Sequence, residues 1–547
     1  MTMKSSDLLW ALWVPVLLAG CAAAPTAAPP VAISAAEYER HIVTLASDEF
    51  EGRKPGTAGE RKTVEYLVSE FKKLGLQPGN RGAWTQEVPI VEITAGSDAE
   101  LRLGEASLAY GKDMVIWTKR VAPEVSLSES PLVFVGHGVV APEAGWNDYA
   151  GVDMRGKTAV ILINDPGFAT GDEKLFRGRA MTYYGRWTYK FEEAARQGAS
   201  AAIIIHDDEP AAYPWDTVQN SWMGPQLDTA SPDGNAGRIA IEGWVTRAAG
   251  EALLQANGLT YADLVQAASR PGFKPIELRQ RAGGRLRNAI RRASSSNVLA
   301  MIPGSKRPDE VVFYMAHWDH LGRSLGRSGD NIFNGALDNA SGTAGLLAIA
   351  KAFAESPRRP ERSVVFLGLT LEESGLLGSA YYAANPVFPL RQTVAALNMD
   401  AMSWGGPTRD VSVIGFGASE LEEYLAAAAK TQDRVLREEP TPEKGFFYRS
   451  DHFNFAKVGV PALYFKMGIE DRENGVEWAR AKQAEFTLRD YHKPSDEWRP
   501  GTDLRGSLED LELLYAVGNR LAGEKRFPQW YPTSEFRAAR ERSFAAP

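Results

Sequence analysis

The chain has 547 residues, 44% of them hydrophobic and 24% charged, with a net charge of −8. That length exceeds one ordinary domain, and the composition is that of a water-soluble globular protein. A mildly acidic chain offers no basic face to phosphates, which argues against a nucleic-acid partner. The short basic stretch Arg279 to Arg292 lies beside Gly283 and Gly284. It reads as a solvated connector.

In chain order, Lys4 precedes an apolar run, Leu8 to Leu18, too short for a mature membrane span but suited to the core of a secretory signal. The ending Leu18-Ala19-Gly20-Cys21 resembles the lipobox of bacterial lipoproteins, although the early Asp7 departs from the usual signal. Cys21 is the sole cysteine, so no internal disulfide exists. Acylation there would anchor the protein to a membrane while the rest stays in water. The expected organisation is a signal peptide at 1–21 and an Ala/Pro-rich tether at 22–35. The expected location is the periplasmic face of a bacterial envelope, at the outer membrane.

Tyr38 to Phe50 and Glu60 to Leu74 have helical spacing, and the second repeats Val64, Leu67, Val68, Phe71 and Leu74 on one stripe. The glycine-rich loop Glu51 to Gly59 between them lacks a Walker ending and reads as a turn near a site. From Leu132 the texture changes to short strands (Leu132 to Val135, Thr158 to Ile163, Ala201 to Ile205), with a helix at Tyr189 to Gly198 and a helical tail from Trp244 to Ala268. A small α/β or β-rich module is expected here, and its widely spaced His137 and His206 suggest no chemistry.

From Asn297 the pattern is strongly α/β. Strands are expected at Val298 to Ile302, Val311 to Ala316, Val364 to Leu371, Val394 to Met399, Val411 to Ile414 and Ala462 to Phe465, with helices at Gly342 to Ala354 and Ser419 to Thr431. Alternation of this kind predicts a mostly parallel central sheet flanked by helices. Three of these strands run into His317-Trp318-Asp319-His320, Glu372-Glu373 and Asp400. Ligands of open α/β sheets bind beyond the carboxyl ends of the strands, so these groups should meet at one edge. Imidazole and carboxylate without thiolate suit zinc, cobalt or manganese. Asp338, just before a helix, reads on its own as an N-cap. Spacing does not divide the roles of Glu372 and Glu373.

The ordered motifs His317-Trp318-Asp319-His320-Leu321-Gly322, Gly335 to Gly342, Glu372 to Ser379, Asn398-Met399-Asp400 and Tyr491-His492 resemble metallopeptidase family 28. The resemblance covers about 36–125 and 290–520. The intervening Phe134-Val135-Gly136-His137-Gly138 and Gly151 to Lys157 resemble a protease-associated domain inserted into the peptidase. Domains are therefore expected at 36–125 and 286–525 (peptidase) and 126–285 (insertion), with a tail at 526–547.

The resemblance implies two zinc ions, one held by His317 and Asp400, the other by Glu373 and His492, with Asp338 bridging. It makes Glu372 the general base, Asp319 a carboxylate that fixes the His317 ring, and Tyr491 a hydrogen-bond donor to the oxyanion. Arg449-Ser450-Asp451-His452 is expected to support the pocket, and His41 and His320 receive no metal role. The implied activity is removal of amino-terminal residues from peptides. A glutamate-releasing carboxypeptidase or dipeptidase and an inactive receptor homologue are the alternatives. A single-zinc glutaminyl cyclase is disfavoured because His317 is present.

Overall fold

The structure, a computed structural model, describes residues 33–324 and 328–545. The signal, Cys21 and nearly all of the tether lie outside the described residues. Among those residues, no helix is long and apolar enough to cross a membrane.

Four parallel strands form the centre of the first sheet, in the spatial order Arg362–Leu369, Arg307–His317, Thr393–Asn398 and Ala462–Met467. All residues from Val311 to His317 are buried. Val312, Tyr314 and Ala316 enter one core, while Val311, Phe313 and Met315 enter the other. This period-two division explains why the strand reads as continuously apolar: both faces are covered. The first core is closed by helices that include Gly342–Ala354 and Arg505–Gly523. Gly518 lets the latter approach the Tyr314 hydroxyl, which donates to Leu514 O at 2.8 Å. The sheet edges are antiparallel, so the expected mostly parallel sheet holds at its centre.

One strand, Ile276–Ile302, belongs to two sheets. Its second half pairs with Thr85–Ala95 and Arg362–Leu369 in the first sheet. Its first half pairs with Glu100–Leu103 and Glu124–Phe134 in a second sheet. That sheet continues through the parallel strands Thr158–Leu162, Ala201–Ile205 and Ile241–Val245 to the antiparallel Met114–Trp117.

Three sequence expectations change. The basic stretch at 279–292 is ladder and not connector: Leu286 is fully buried, while Arg285, Arg287 and Arg291 pair outward with Glu100, Asp98 and Glu92. The strands at 100–117 join the second sheet, so that module draws on chain well before residue 126. Trp244 to Ala268 is not one helical tail, because Ile241–Val245 is a central strand followed by two short helices. The segment after residue 525, expected as a tail, packs on the core that holds Val311, Phe313 and Met315. Trp530 and Arg540 are buried, and Arg540 donates to Leu390 O and Thr393 O.

Candidate metal centre

Parallel register aligns the ends of three neighbouring strands. Met315 is level with both Leu367 and Asn398, so His317, the Glu372-Glu373 turn and Asp400 emerge at the same edge. Asp338 reaches them from Ala336–Ser341, the wide turn that leads into helix Gly342–Ala354. His492 follows helix Gly475–Arg489 and is held at φ 56, in the left-handed region that a non-glycine residue rarely occupies.

His317 Nε2 lies 3.4 Å from Asp338 Oδ1 and 3.4 Å from Asp400 Oδ1. His492 Nε2 lies 3.4 Å from Asp338 Oδ2 and 3.0 Å from Glu373 Oε2. The two oxygens of one carboxylate thus face two different imidazoles. His317, Asp338 and Asp400 place a ligand atom each within 4.8 Å of one another. Asp338 is therefore no helix cap. That work falls to Asn339, whose Oδ1 accepts from Gly342 N at 2.9 Å and Ala401 N at 3.1 Å.

His320, given no role from sequence, stands against Glu373 with Nδ1 2.6 Å from Oε1. It also groups with Asp338 and Glu373 within 4.8 Å. Glu373 is consequently held between two histidines.

Braces unread from the sequence fix these loops. Asp496 accepts from Leu337 N at 2.9 Å and Asp338 N at 3.0 Å, and burial pushes its carboxyl up to about 7. Arg53, fully buried, donates to Trp318 O, Asn334 O, Gly335 O and Leu45 O at 2.6–2.9 Å. The glycine-rich loop is thus a clamp on the turns that carry His317 and Asp338. Gly52, at φ 66, allows it: a Cβ there would strike Gly322 O and Phe333 O. Asp319 departs from its expected contact. His317 Nδ1 is nearest to the backbone oxygen of Asp319, at 3.2 Å, and its carboxylate is 3.8 Å away. That carboxylate accepts instead from Glu372 N at 3.1 Å and Glu373 N at 3.4 Å.

The electrostatics call for positive charge. Despite burial, Glu372, Asp338 and Asp400 hold His317 well above the ordinary imidazole value. His492 is raised against burial by Glu373 and Asp338. Burial, together with Asp400 and Glu373, pushes Glu372 well above the carboxylate range. Carboxylates converging out of water repel unless cations sit among them. Divalent ions held by the same imidazole and carboxylate atoms would meet that need. The nitrogen and oxygen donors, grouped around Asp338, fit hard or borderline metals such as zinc.

A cavity of about 650 Å³ opens over the cluster. Asp338, Glu372 and Asp400 line it from the first sheet, and Arg186, Tyr213 and Ser221 line it from the second module. Tyr491 stacks near His492, with ring centroids 4.0 Å apart, and its hydroxyl accepts from Arg449 Nη2 at 2.9 Å. Ser450 accepts from Asn398 Nδ2 at 2.7 Å, which ties the 449–452 stretch to the strand before Asp400. The second module, read as carrying no chemistry, also touches a site residue: Ser221 Oγ is 2.8 Å from His492 Nδ1.

Residues 297–508 match the family model described as peptidase family M28. Mouse aminopeptidase NAALADL1 is 32% identical over 146 residues, covering 25% of this chain and 18% of that protein. Aminopeptidase YwaD of Bacillus subtilis is 24% identical, with 89% of this chain and 88% of that protein covered. Among solved structures, an aminopeptidase from Aneurinibacillus sp. strain AM-1 superposes with a TM-score of 0.54 at 21% identity, covering 90% and 95% of the two chains. A zinc aminopeptidase from B. subtilis gives 0.50 at 18%, covering 91% and 97%. The fold is that of these α/β proteins, with the His/Asp/Glu cluster at its strand ends. The likeness to peptidase family M28 spans residues 297–508, which carry the whole cluster.

Proposed function

We propose that the chain is a metal-dependent exopeptidase, foremost an aminopeptidase that releases single amino-terminal residues from peptides. The observation that carries this reading is the split Asp338 carboxylate, with one oxygen toward each imidazole. In this reading His317 and Asp400 hold one zinc-class ion, Glu373 and His492 hold a second, and Asp338 serves both. When bound, such a pair supplies Lewis acidity and makes a water acidic near neutral pH. Glu372, whose carboxyl retains a proton unusually well in this buried, acid-rich setting, accepts the proton of the attacking water. It then delivers that proton to the departing amine. Tyr491, aligned by Arg449, donates to the developing oxyanion.

The test is release of nitroaniline from a panel of aminoacyl-p-nitroanilides, with and without a chelator. Chelator-sensitive turnover that Glu372→Gln lowers by about 10²–10⁴-fold, with zinc content unchanged, is the expected result. Metal binding without turnover on any peptide would instead favour a receptor role. The protein works outside the cytoplasm in this reading, anchored through acylated Cys21 and carrying a protease-associated insertion. Labelling of the wild type by a fatty-acid probe, lost in Cys21→Ala, checks the anchor.

A specific feature favours a second reading, a dipeptidase or carboxypeptidase. Arg186 is 8% exposed, its Nε has no hydrogen-bond partner, and it faces the cavity without an acidic partner among the described residues. A buried unpaired guanidinium suits a substrate carboxylate. Faster cleavage of Leu-Leu than of its carboxyl-terminal amide, reversed by Arg186→Met, would support that variant.

A further inference from the structure

His317 and His492 each need a partner at Nδ1 that leaves Nε2 facing the carboxylates. For His317 the partner is the Asp319 backbone oxygen, two residues away on the same turn. For His492 it is the Ser221 hydroxyl, 271 residues distant in sequence and on another module. The contact is not isolated. Helix Trp215–Trp222 approaches this segment along one face: Asn220 Nδ2 donates to His492 O at 3.1 Å, and Asp216 Oδ2 pairs with Lys493 Nζ at 2.8 Å. Residues 216 and 220 are one turn apart, so they share a face of the helix. The helix is itself fastened to its own module, because Trp215 Nε1 and Gln219 Nε2 both donate to Gly111 O, at 3.0 and 2.8 Å.

We propose that Ser221 and Asn220 are positioning residues for the His492 half of the centre, so that this half is assembled by docking of the second module. The inference rests on the two-ion reading above. Ser221 Oγ accepts a hydrogen bond from Nδ1–H, which fixes the ring orientation and leaves the Nε2 lone pair toward Asp338 and Glu373. Asn220 holds the carbonyl of a residue whose left-handed backbone has no glycine to ease it. Neither residue hydrogen-bonds to Asp400 or His317, so the first half should not depend on them.

The experiment is competition titration of the metal-stripped full chain with zinc against a chromophoric chelator. It compares wild type, Ser221→Ala, Ser221→Thr and Asn220→Ala, with thermal melts of the stripped proteins alongside. Ser221→Ala should weaken one of two zinc equivalents about 10–100-fold and leave the other within about twofold. Ser221→Thr, which keeps the hydroxyl, should restore most of that loss, and Asn220→Ala should show a smaller deficit at the same equivalent. In a His492→Ala background, Ser221→Ala should have no further effect on zinc binding. Wild-type affinities at both equivalents in Ser221→Ala would overturn the proposal. So would equal weakening of both together with a lower melting temperature. A wild type holding fewer than two zinc ions counts against the two-ion reading instead, and an unchanged single affinity in Ser221→Ala then also sinks the positioning role.

Discussion

The two halves of the centre are built differently. The His317 half is local: His317 and Asp400 end adjacent parallel strands, and the Nδ1 partner lies two residues on. The His492 half is assembled from afar. Its histidine follows a helix near the end of the chain, its carboxylate sits between two histidines, and its ring is met by a hydroxyl from the second module. Register in a buried parallel sheet is fixed by the core, so the first half inherits the rigidity of the sheet. The second depends on contacts between separately organised parts, which open more easily than a core does.

Asp338 is the one residue common to both halves, and its removal is the strongest way to break the comparison. Asp338→Ala should weaken zinc at both equivalents and lower turnover by at least about 10³-fold, since binding and electrostatic stabilisation are lost together. His317→Ala and His492→Ala should each cost chiefly one equivalent. Plasma-emission metal analysis after dialysis reads all three, and two retained equivalents in Asp338→Ala would sink the shared-carboxylate assignment.

Arg53 sharpens the comparison from the first side. It clamps the turn after His317 and the loop before Asp338, and none of its hydrogen bonds goes to the 492 segment. Arg53→Met leaves three buried carbonyls (Leu45, Trp318 and Asn334) without a donor, a loss of about 3–5 kcal/mol in stability. A melting temperature lower by several degrees, with zinc retention falling first at the His317 half, is the expected outcome. A shift of less than a degree would contradict the clamp.

Legibility in the sequence follows the same division. The parallel centre of the sheet was readable because strands covered on both faces are unbroken apolar runs. His317, the Glu372-Glu373 pair and Asp400 were readable because they end those runs. Asp338 was ambiguous, since an aspartate before a helix is ordinarily a cap, and only the folded chain shows Asn339 in that role. His492 came from family resemblance alone, as it ends no strand. Arg53, Asp496 and Ser221 left no local signal. Each acts on residues more than 150 positions away, and periodicity does not carry such contacts. Of the long strand Ile276–Ile302 only Val298 to Ile302 was readable, because the arginines before it mask the alternation that Leu286 and Ile290 maintain.

A smaller effect is expected at His320. Its Nδ1 is 2.6 Å from Glu373, and its Nε2 is buried without a partner. If it orients Glu373 for the second half, His320→Ala should weaken one zinc equivalent about tenfold and leave chelator-sensitive turnover in place at saturating zinc. Loss of a whole equivalent would mean that His320, and not His492, completes that half.

A last expected effect is in pH dependence and begins in the second module. His137 is buried there, with Nδ1 3.1 Å from Asn164 O. Burial, and then the nearby Lys190 ammonium, lower it to about 3. In the unfolded chain the same imidazole titrates near 6.5. Between those values the unfolded state holds a proton that the folded state lacks, so stability rises with pH across that window. The stabilisation is full above about pH 6.5 and is lost progressively as acid is added toward pH 3. His137→Gln should flatten that slope by about one proton in urea melts between pH 4 and 7. Because the His492 half leans on this module through Ser221, mild acid should also loosen the second zinc equivalent more steeply than the first. His137→Gln should reduce that excess, whereas proton competition at the ligands themselves would leave it unchanged.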